Sequence, residues 1–239
     1  SPRSFEEVSA KVRQRGKEWA TRLCNEYLEI VIMILNSYSQ TYTVSRTGKP
    51  LSEQDYALHP AFWDGVLMGL SDSATIVAAT QDTYLMSEYK DIAALRDINL
   101  RHAPRFISSV PELAQKRLTW APGLWLDAGY GGAESYSLTD LRVNQRSPQV
   151  HEYAVHNAMA AGDKYAWMWS EWPSQSMVWP NPPEGMRQYW AANEAGHTPR
   201  DLDWKPEPIW DLTDYSTQVS QAVQAENIFW ANAAAYGYT

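Results

Sequence analysis

The sequence predicts an α/β protein with a parallel (β/α) barrel-type fold, and three observations support this class. Short apolar runs alternate with helical segments along the chain, which is typical of repeated strand–helix units. About four such runs can be recognised, whereas a complete (β/α)8 barrel has eight strands. The 239 residues suit one domain, or a domain with a tail. We therefore expect a partial or half (β/α)8 barrel, with an open parallel sheet as the alternative.

The first half of the chain contains two predicted strands. A Ser-x-x-Glu capping-box pattern opens a helix over about residues 5–27, where apolar residues recur at helical spacing. The continuous apolar run at 29–35 follows, and such runs are typical of strands that are buried on both faces. A proline suits the first turn of the next helix, 60–71, which precedes a second strand at 74–79.

The second half of the chain repeats this order. A helical region covers about 88–117, with interruptions near Pro104 and Pro111, and a third strand at 118–126 follows it. A Ser-Pro pair then opens the helix at 148–162. The remaining predicted elements are a fourth strand at 164–169, a helix at 184–196 and a helical stretch at about 215–235.

The predicted domain boundary falls in a proline-rich connection. Residues 1–205 are expected to form the barrel-type catalytic domain, and residues 206–239 a C-terminal helical extension packed on it. A second copy of the chain, or a missing N-terminal half, would complete the barrel. The connections at 38–58 and 172–183 are much longer than the usual two to six residues, which is typical of functional loops.

The composition favours a sugar ligand and argues against several other classes. The chain has 12 Trp and 14 Tyr but only 4 Phe, and Trp and Tyr join a flat apolar face to a hydrogen-bonding edge that suits sugar rings; the alternative is that many of these rings are core. A net charge of 20 − 28 = −8, without a basic run, disfavours a nucleic-acid partner. No apolar stretch reaches about 18 residues, so no membrane span is expected.

Carboxylates follow three of the four predicted strands, where the active sites of parallel barrels lie. They are Asp82, Asp127 and Glu171, and Glu88 is the alternative to Asp82 as the third carboxylate. Glycosidic bond cleavage needs two carboxyl groups, one to protonate the leaving oxygen and one to act as nucleophile or to activate water. Aromatic and polar side chains at the same ends are expected to bind the substrate: Tyr38, His59, Gln81, Tyr84, Trp125, Tyr130, Trp169, Trp172 and Trp179.

Two other motifs have structural interpretations. His151 and His156 are five residues apart, so on a helix they diverge by roughly 140° and do not match the His pair of zinc proteases. Asp64 and Gly65 lie inside the predicted helix 60–71 and are expected to pack it against its neighbour. The lone Cys24 excludes an internal disulfide and a multi-cysteine metal site. We expect no metal and no cofactor.

Four segments resemble a group of barrel-fold, glycoside hydrolase-like bacterial proteins, many of them from polysaccharide-degrading bacteria. The segments are KVRQRG at 11–16, HPAFWDG at 59–65, GLWLD at 123–127 and YAWMWSE at 165–171, and the resemblance spans about residues 5–173. It implies a barrel with glycosidase activity. In that group a Glu follows the second strand, whereas this chain has Gln81 and Asp82 there.

The sequence therefore predicts a glycoside hydrolase that cleaves a β-linked polysaccharide or oligosaccharide by paired-carboxylate chemistry. The alternative is a non-catalytic carbohydrate-binding protein on a degenerate barrel. No signal peptide is visible, so the compartment stays open, and a secreted or periplasmic location is compatible with a polysaccharide substrate.

Overall fold

The computed structural model describes residues 3–35, 37–45, 48–129, 136–170, 184–198 and 201. The chain divides into two compact units, each described by itself below. Unit 1 consists of Ser1–Gln81 and Ala94–Ala121, and unit 2 of Asp82–Ala93 and Pro122–Thr239.

A four-stranded sheet with the order β1-β2-β3-β4 confirms the predicted partial (β/α) barrel-type fold. In unit 1, β1 pairs with β2 in parallel, with Val31 opposite Thr75. In unit 2, β3 pairs with β4 in parallel, with Gly123 opposite Trp167. Completion of the barrel by a second copy or by an N-terminal half stays a prediction. The strands are β1 (Val31–Leu35), β2 (Thr75–Thr80), β3 (Leu118–Trp125) and β4 (Trp167–Trp169).

The helices agree with the sequence pattern in most places. In the predicted region 88–117 a π-helical turn over Ile98–His102 precedes Pro104, and the helical backbone breaks at 108–110, before Pro111. Near Pro104 the helix therefore changes type but does not break. Among the described residues, no helix combines the length and the apolar character that crossing a membrane would require. The helices are α1 (Phe5–Glu26), α2 (Ser39–Ser45), α3 (His59–Gly69), α4 (Tyr89–Asp97), α5 (Ala103–Ile107), α6 (Pro111–Arg117), α7 (Pro148–Ala161) and α8 (Glu184–Gly196).

Helices α1 and α3 pack very closely in unit 1. The capping box at the start of α1 is formed in both directions, because the side chains of Ser4 and Glu7 each accept a backbone N–H of the other. A Cβ on Gly16 would overlap the carbonyl oxygen of Phe62, and a Cβ on Gly65 would overlap that of Arg13. Glycine is therefore required at both positions, which confirms that Gly65 packs α3 against a neighbour.

Strand β1 differs from its prediction. Its alternate residues Val31, Met33 and Leu35 are 45–46 % exposed, so the expectation of burial on both faces is wrong. The hydrophobic cluster of unit 1 lies against the other face, which carries Ile32 and Ile34. A continuous apolar run shows that a strand is apolar on both sides, but it does not show which side is covered.

Unit 2 is built around α7 and α8. Ser147 caps α7, since its hydroxyl oxygen accepts the backbone N–H of Val150, and Pro148 occupies the first turn, as predicted. Gly196 at the end of α8 lies so close to α7 that a Cβ there would meet the side chain of Val155 at 2.6 Å. A second hydrophobic cluster in this unit contains Leu126, Tyr136, Met186 and Tyr189.

Two elements depart from the predicted boundaries, and two predictions are not covered. The connection at 38–58 contains α2 and a 3-10 turn, Leu51–Glu53, because a polar stretch of weak helix formers gave no helical signal. Strand β4 begins at Trp167 and not at 164. The connection at 172–183 and the extension at 206–239, with its helix at 215–235, lie outside the described residues.

Candidate functional site

Asp127 connects the carboxyl ends of β3 and β4 in unit 2. Its side chain is fully buried, and its Oδ1 accepts the indole N–H of Trp125 at 2.9 Å. Its Oδ2 accepts the hydroxyl of Ser170 at 2.9 Å, directly after β4. The backbone N–H of Leu126 also donates to the carbonyl of Trp169 at 2.8 Å. These bonds hold the carboxylate in one orientation at the strand ends, where the sequence placed it.

An aromatic cluster lies along β3 and β4, with Trp125 at the end of β3 and Trp167 at the start of β4. The ring of Tyr84 is 6.2 Å from Trp125 and 5.3 Å from Trp167, and its contact with Trp167 is edge-to-face. Trp169 is 43 % exposed. Tyr84, Trp125 and Trp169 were predicted to bind substrate, whereas Trp167 was not. Strand periodicity could have found it, because Trp167 and Trp169 are two residues apart and share a face.

The residues that follow β2 are in a different environment from Asp127. Gln81 and Asp82 are exposed, and Glu88 is half-buried. The Glu88 side chain accepts the hydroxyl of Tyr153 at 3.0 Å. A third catalytic carboxylate at Asp82 or Glu88 therefore stays a prediction. Asp127 is the carboxylate whose two oxygens both accept hydrogen bonds from residues at the strand ends.

Four predicted site residues lie outside the described residues. Glu171 follows Ser170 in the chain, and Ser170 donates to Asp127. The roles of this carboxylate and of the aromatic residues stay predictions. The four residues are Tyr130, Glu171, Trp172 and Trp179.

Two of the three predicted binding residues of unit 1, Tyr38 and His59, are part of the packing of this unit. Tyr38 has no exposed surface, and its hydroxyl donates to Asp64 at 2.8 Å, so its ring faces the core. Burial, together with the carboxylate of Asp64, raises the pKa of Tyr38 well above its usual value. His59 begins α3, and its Nε2 accepts the indole N–H of Trp63 at 2.8 Å. Burial lowers the pKa of His59.

Asp64 is the centre of a buried hydrogen-bond network in unit 1. Its Oδ1 accepts the hydroxyls of Tyr38 and Ser108, at 2.8 and 2.6 Å. Its Oδ2 accepts the backbone N–H and the hydroxyl of Ser109, at 2.8 and 2.6 Å, and the Nε of Arg13 lies 3.7 Å away. Arg13 and Asp64 belong to two of the segments that carry the family resemblance. In this chain those segments join α1 to α3.

His151 is a buried titratable side chain on α7, in unit 2. It has no exposed surface, and among the groups that the structure describes neither ring nitrogen has a hydrogen-bond partner. Burial, with the nearby charge of Arg146, lowers the pKa of His151 to about 3. Its ring lies 5.7 Å from Tyr189. The folded protein therefore stabilises the neutral form of the His151 side chain.

The His151→Leu variant is expected to lose part of the acid sensitivity of the wild type. In the wild type, the unfolded chain binds a proton near pH 6.5 but the folded chain does so only near pH 3, so stability falls as the pH drops between these values. At pH 5 the wild type should have lost about 2 kcal/mol that the variant keeps. Urea unfolding at pH 7 and pH 5 measures this difference. The exposed His197→Leu control should lose as much unfolding free energy between pH 7 and pH 5 as the wild type. If His151→Leu lost that amount too, the prediction would be contradicted.

The described side chains offer no evident metal site. Within the described ranges, no group of three or more His, Cys, Asp or Glu is arranged to hold a metal ion. No protein-family model, curated protein or solved structure matches the chain. Functional interpretation therefore depends on the geometry above.

Proposed function

We propose that the chain is a glycoside hydrolase that cleaves a β-linked polysaccharide or oligosaccharide. The supporting observation is the placement of Asp127, a buried carboxylate at the end of β3 that an indole and a hydroxyl orient. The hydroxyl belongs to Ser170, and the next residue in the chain is Glu171. Two carboxyl groups that follow adjacent parallel strands are an arrangement from which glycosidic bonds can be cleaved.

The proposed chemistry divides between these two side chains. One carboxylic acid protonates the glycosidic oxygen as the bond breaks, and the other carboxylate attacks the anomeric carbon or activates a water on the opposite face of the sugar. Glu171 is assigned as the acid or the nucleophile, and Asp127 takes the complementary role. Tyr84, Trp125 and Trp167 supply apolar faces against which sugar rings stack.

A second candidate function is carbohydrate binding without cleavage. The observation in its favour is the complete burial of Asp127, because both oxygens of its carboxylate already accept hydrogen bonds. In that case Asp127 would orient the aromatic residues and take no part in a reaction. Gln81 and Asp82, which stand where the resembling group has a Glu, agree with this alternative.

A crystal structure with bound cellohexaose separates the two candidates. Hydrolysis predicts that the carboxyl groups of Asp127 and Glu171 flank a glycosidic bond, about 5–5.5 Å apart for retention or about 6.5–9.5 Å apart for inversion. A sugar chain bound to the aromatic rings, with a carboxyl separation outside both ranges, supports binding alone. Cellohexaose bound elsewhere, or not at all, while xylohexaose and mannohexaose also fail to bind, would remove both candidates.

A further inference from the structure

Arg146 is a buried cation at the start of α7, in unit 2. It is 6 % exposed, and its guanidinium points at the connection between β2 and α4. Its Nη2 donates to the carbonyl oxygens of Tyr84 and Met86, at 2.7 and 2.8 Å. The Nε donates to the hydroxyl of Ser87 at 3.2 Å. The other terminal nitrogen is 3.5 Å from the carbonyl oxygen of Trp125. One side chain thus links this connection to the end of β3.

The acceptors of Arg146 are neutral groups, which makes this burial costly. A guanidinium loses its hydration when it is buried, and carbonyl dipoles return less than a carboxylate would. Burial accordingly lowers the pKa of Arg146 to about 10. An apolar side chain of similar length would avoid this cost. The arginine instead supplies several donors in fixed directions to the backbone carbonyls of Tyr84 and Met86.

The residues whose backbone Arg146 holds are those that carry the aromatic cluster. Tyr84 and Trp125 both accept from it through their carbonyl oxygens, and the two rings are 6.2 Å apart. The backbone N–H of Trp125 also donates to the carbonyl of Tyr84 at 3.2 Å. The indole of Trp125 in turn donates to Asp127. A shift of this backbone would therefore move the rings and the donor that orients the carboxylate.

We propose that Arg146 is the positioning residue of the carbohydrate site, holding Tyr84 and Trp125 in the arrangement that stacks sugar rings. This inference rests on the proposed function and extends it to a residue that touches no sugar itself. It acts through backbone carbonyls, so its contribution depends on the geometry of the guanidinium as well as on its charge. Lysine carries the charge but not the planar set of donors.

Hydrogen exchange tests the positioning independently of any sugar. In the Arg146→Met variant, amides of segments 82–88 and 123–127 should exchange at least tenfold faster than in the wild type, while those of α1 and α3 keep their protection. The Arg146→Lys variant should lie between the two. Equal acceleration throughout the chain would mean that Arg146 supports the fold in general, and unchanged exchange in both segments would overturn the proposal. The matched control is Arg142→Met, which removes an exposed arginine that pairs with Asp140 at the surface.

Kinetics on cellohexaose test the consequence for the site. Misplaced rings weaken binding in the ground state and in the transition state alike, so KM should rise about tenfold in Arg146→Met, and kcat should fall as well because the indole that orients Asp127 moves with the backbone. A merely structural role would lower kcat through the folded fraction and leave KM unchanged, and that outcome would overturn the proposal. If the wild type neither binds nor cleaves any glycan, the proposed function fails, while the exchange experiment still decides whether Arg146 holds these segments.

Discussion

The Glu171→Gln variant is expected to release reducing ends from its glycan substrate slower than the wild type by a factor on the order of 10²–10⁴, the usual contribution of a positioned acid or base. Glutamine keeps the shape of the side chain but can neither donate the proton nor attack the anomeric carbon. The measurement is kcat in a reducing-end assay. Binding of the same glycan by calorimetry should be little changed, because stacking on the aromatic rings does not need this carboxyl.

Two further variants make this result specific. Asp127→Asn should also lose activity, because an amide cannot act as acid, base or nucleophile, although its oxygen can still accept from the indole of Trp125 and its NH2 can donate to the hydroxyl of Ser170. Glu184→Gln alters an exposed carboxylate in the first turn of α8 and should keep the wild-type rate. Undiminished turnover in Glu171→Gln would remove that side chain from the mechanism.

The Asp64→Ala variant is expected to lose about 3–5 kcal/mol of unfolding free energy, the typical cost of breaking a buried charged network from one side. The carboxylate is 1 % exposed and accepts four hydrogen bonds, from Tyr38, Ser108 and Ser109. Its removal leaves these donors, and the nearby Arg13, without their acceptor inside unit 1. Urea unfolding followed by far-ultraviolet circular dichroism measures the loss.

The control for Asp64 is an aspartate that also pairs with an arginine but lies at the surface. The Asp72 side chain is fully exposed and 2.7 Å from the guanidinium of Arg117. Asp72→Ala should cost no more than about 1 kcal/mol, because solvent screens such a pair. If the two alanine variants lost equal stability, the network around Asp64 would not be the support of unit 1 that its geometry indicates.

Local patterns were enough to predict most of the described strands and helices, although not α2. The capping box, the Ser-Pro pair before α7 and Pro111 at the start of α6 each specify a backbone conformation by themselves, and the structure has those boundaries. Burial was harder to predict, because it depends on what covers a face. The exposed side of β1, with Met33 at 45 % exposure, has the same composition as its covered side.

The candidate site was predictable in part for a similar reason. Strand ends identify Asp127 because the end of a parallel strand can be read from an apolar run. Tyr38 also follows a strand, yet its hydroxyl turns to Asp64, a partner 26 residues away in the sequence. Arg146 gave no signal, since its acceptors are backbone carbonyls, which every residue has. Long-range contacts of this kind become visible only in three dimensions.

The most direct measurement of the central claim is the release of reducing ends by the wild-type chain from β-linked glycans, namely cellulose, mixed-linkage glucan, xylan and mannan. We expect release from at least one of these glycans, and none when Asp127 and Glu171 are both replaced by their amides. Release that survives the double replacement, or binding of a glycan without any release by the wild type, would contradict the assignment of these two carboxylates to glycosidic cleavage.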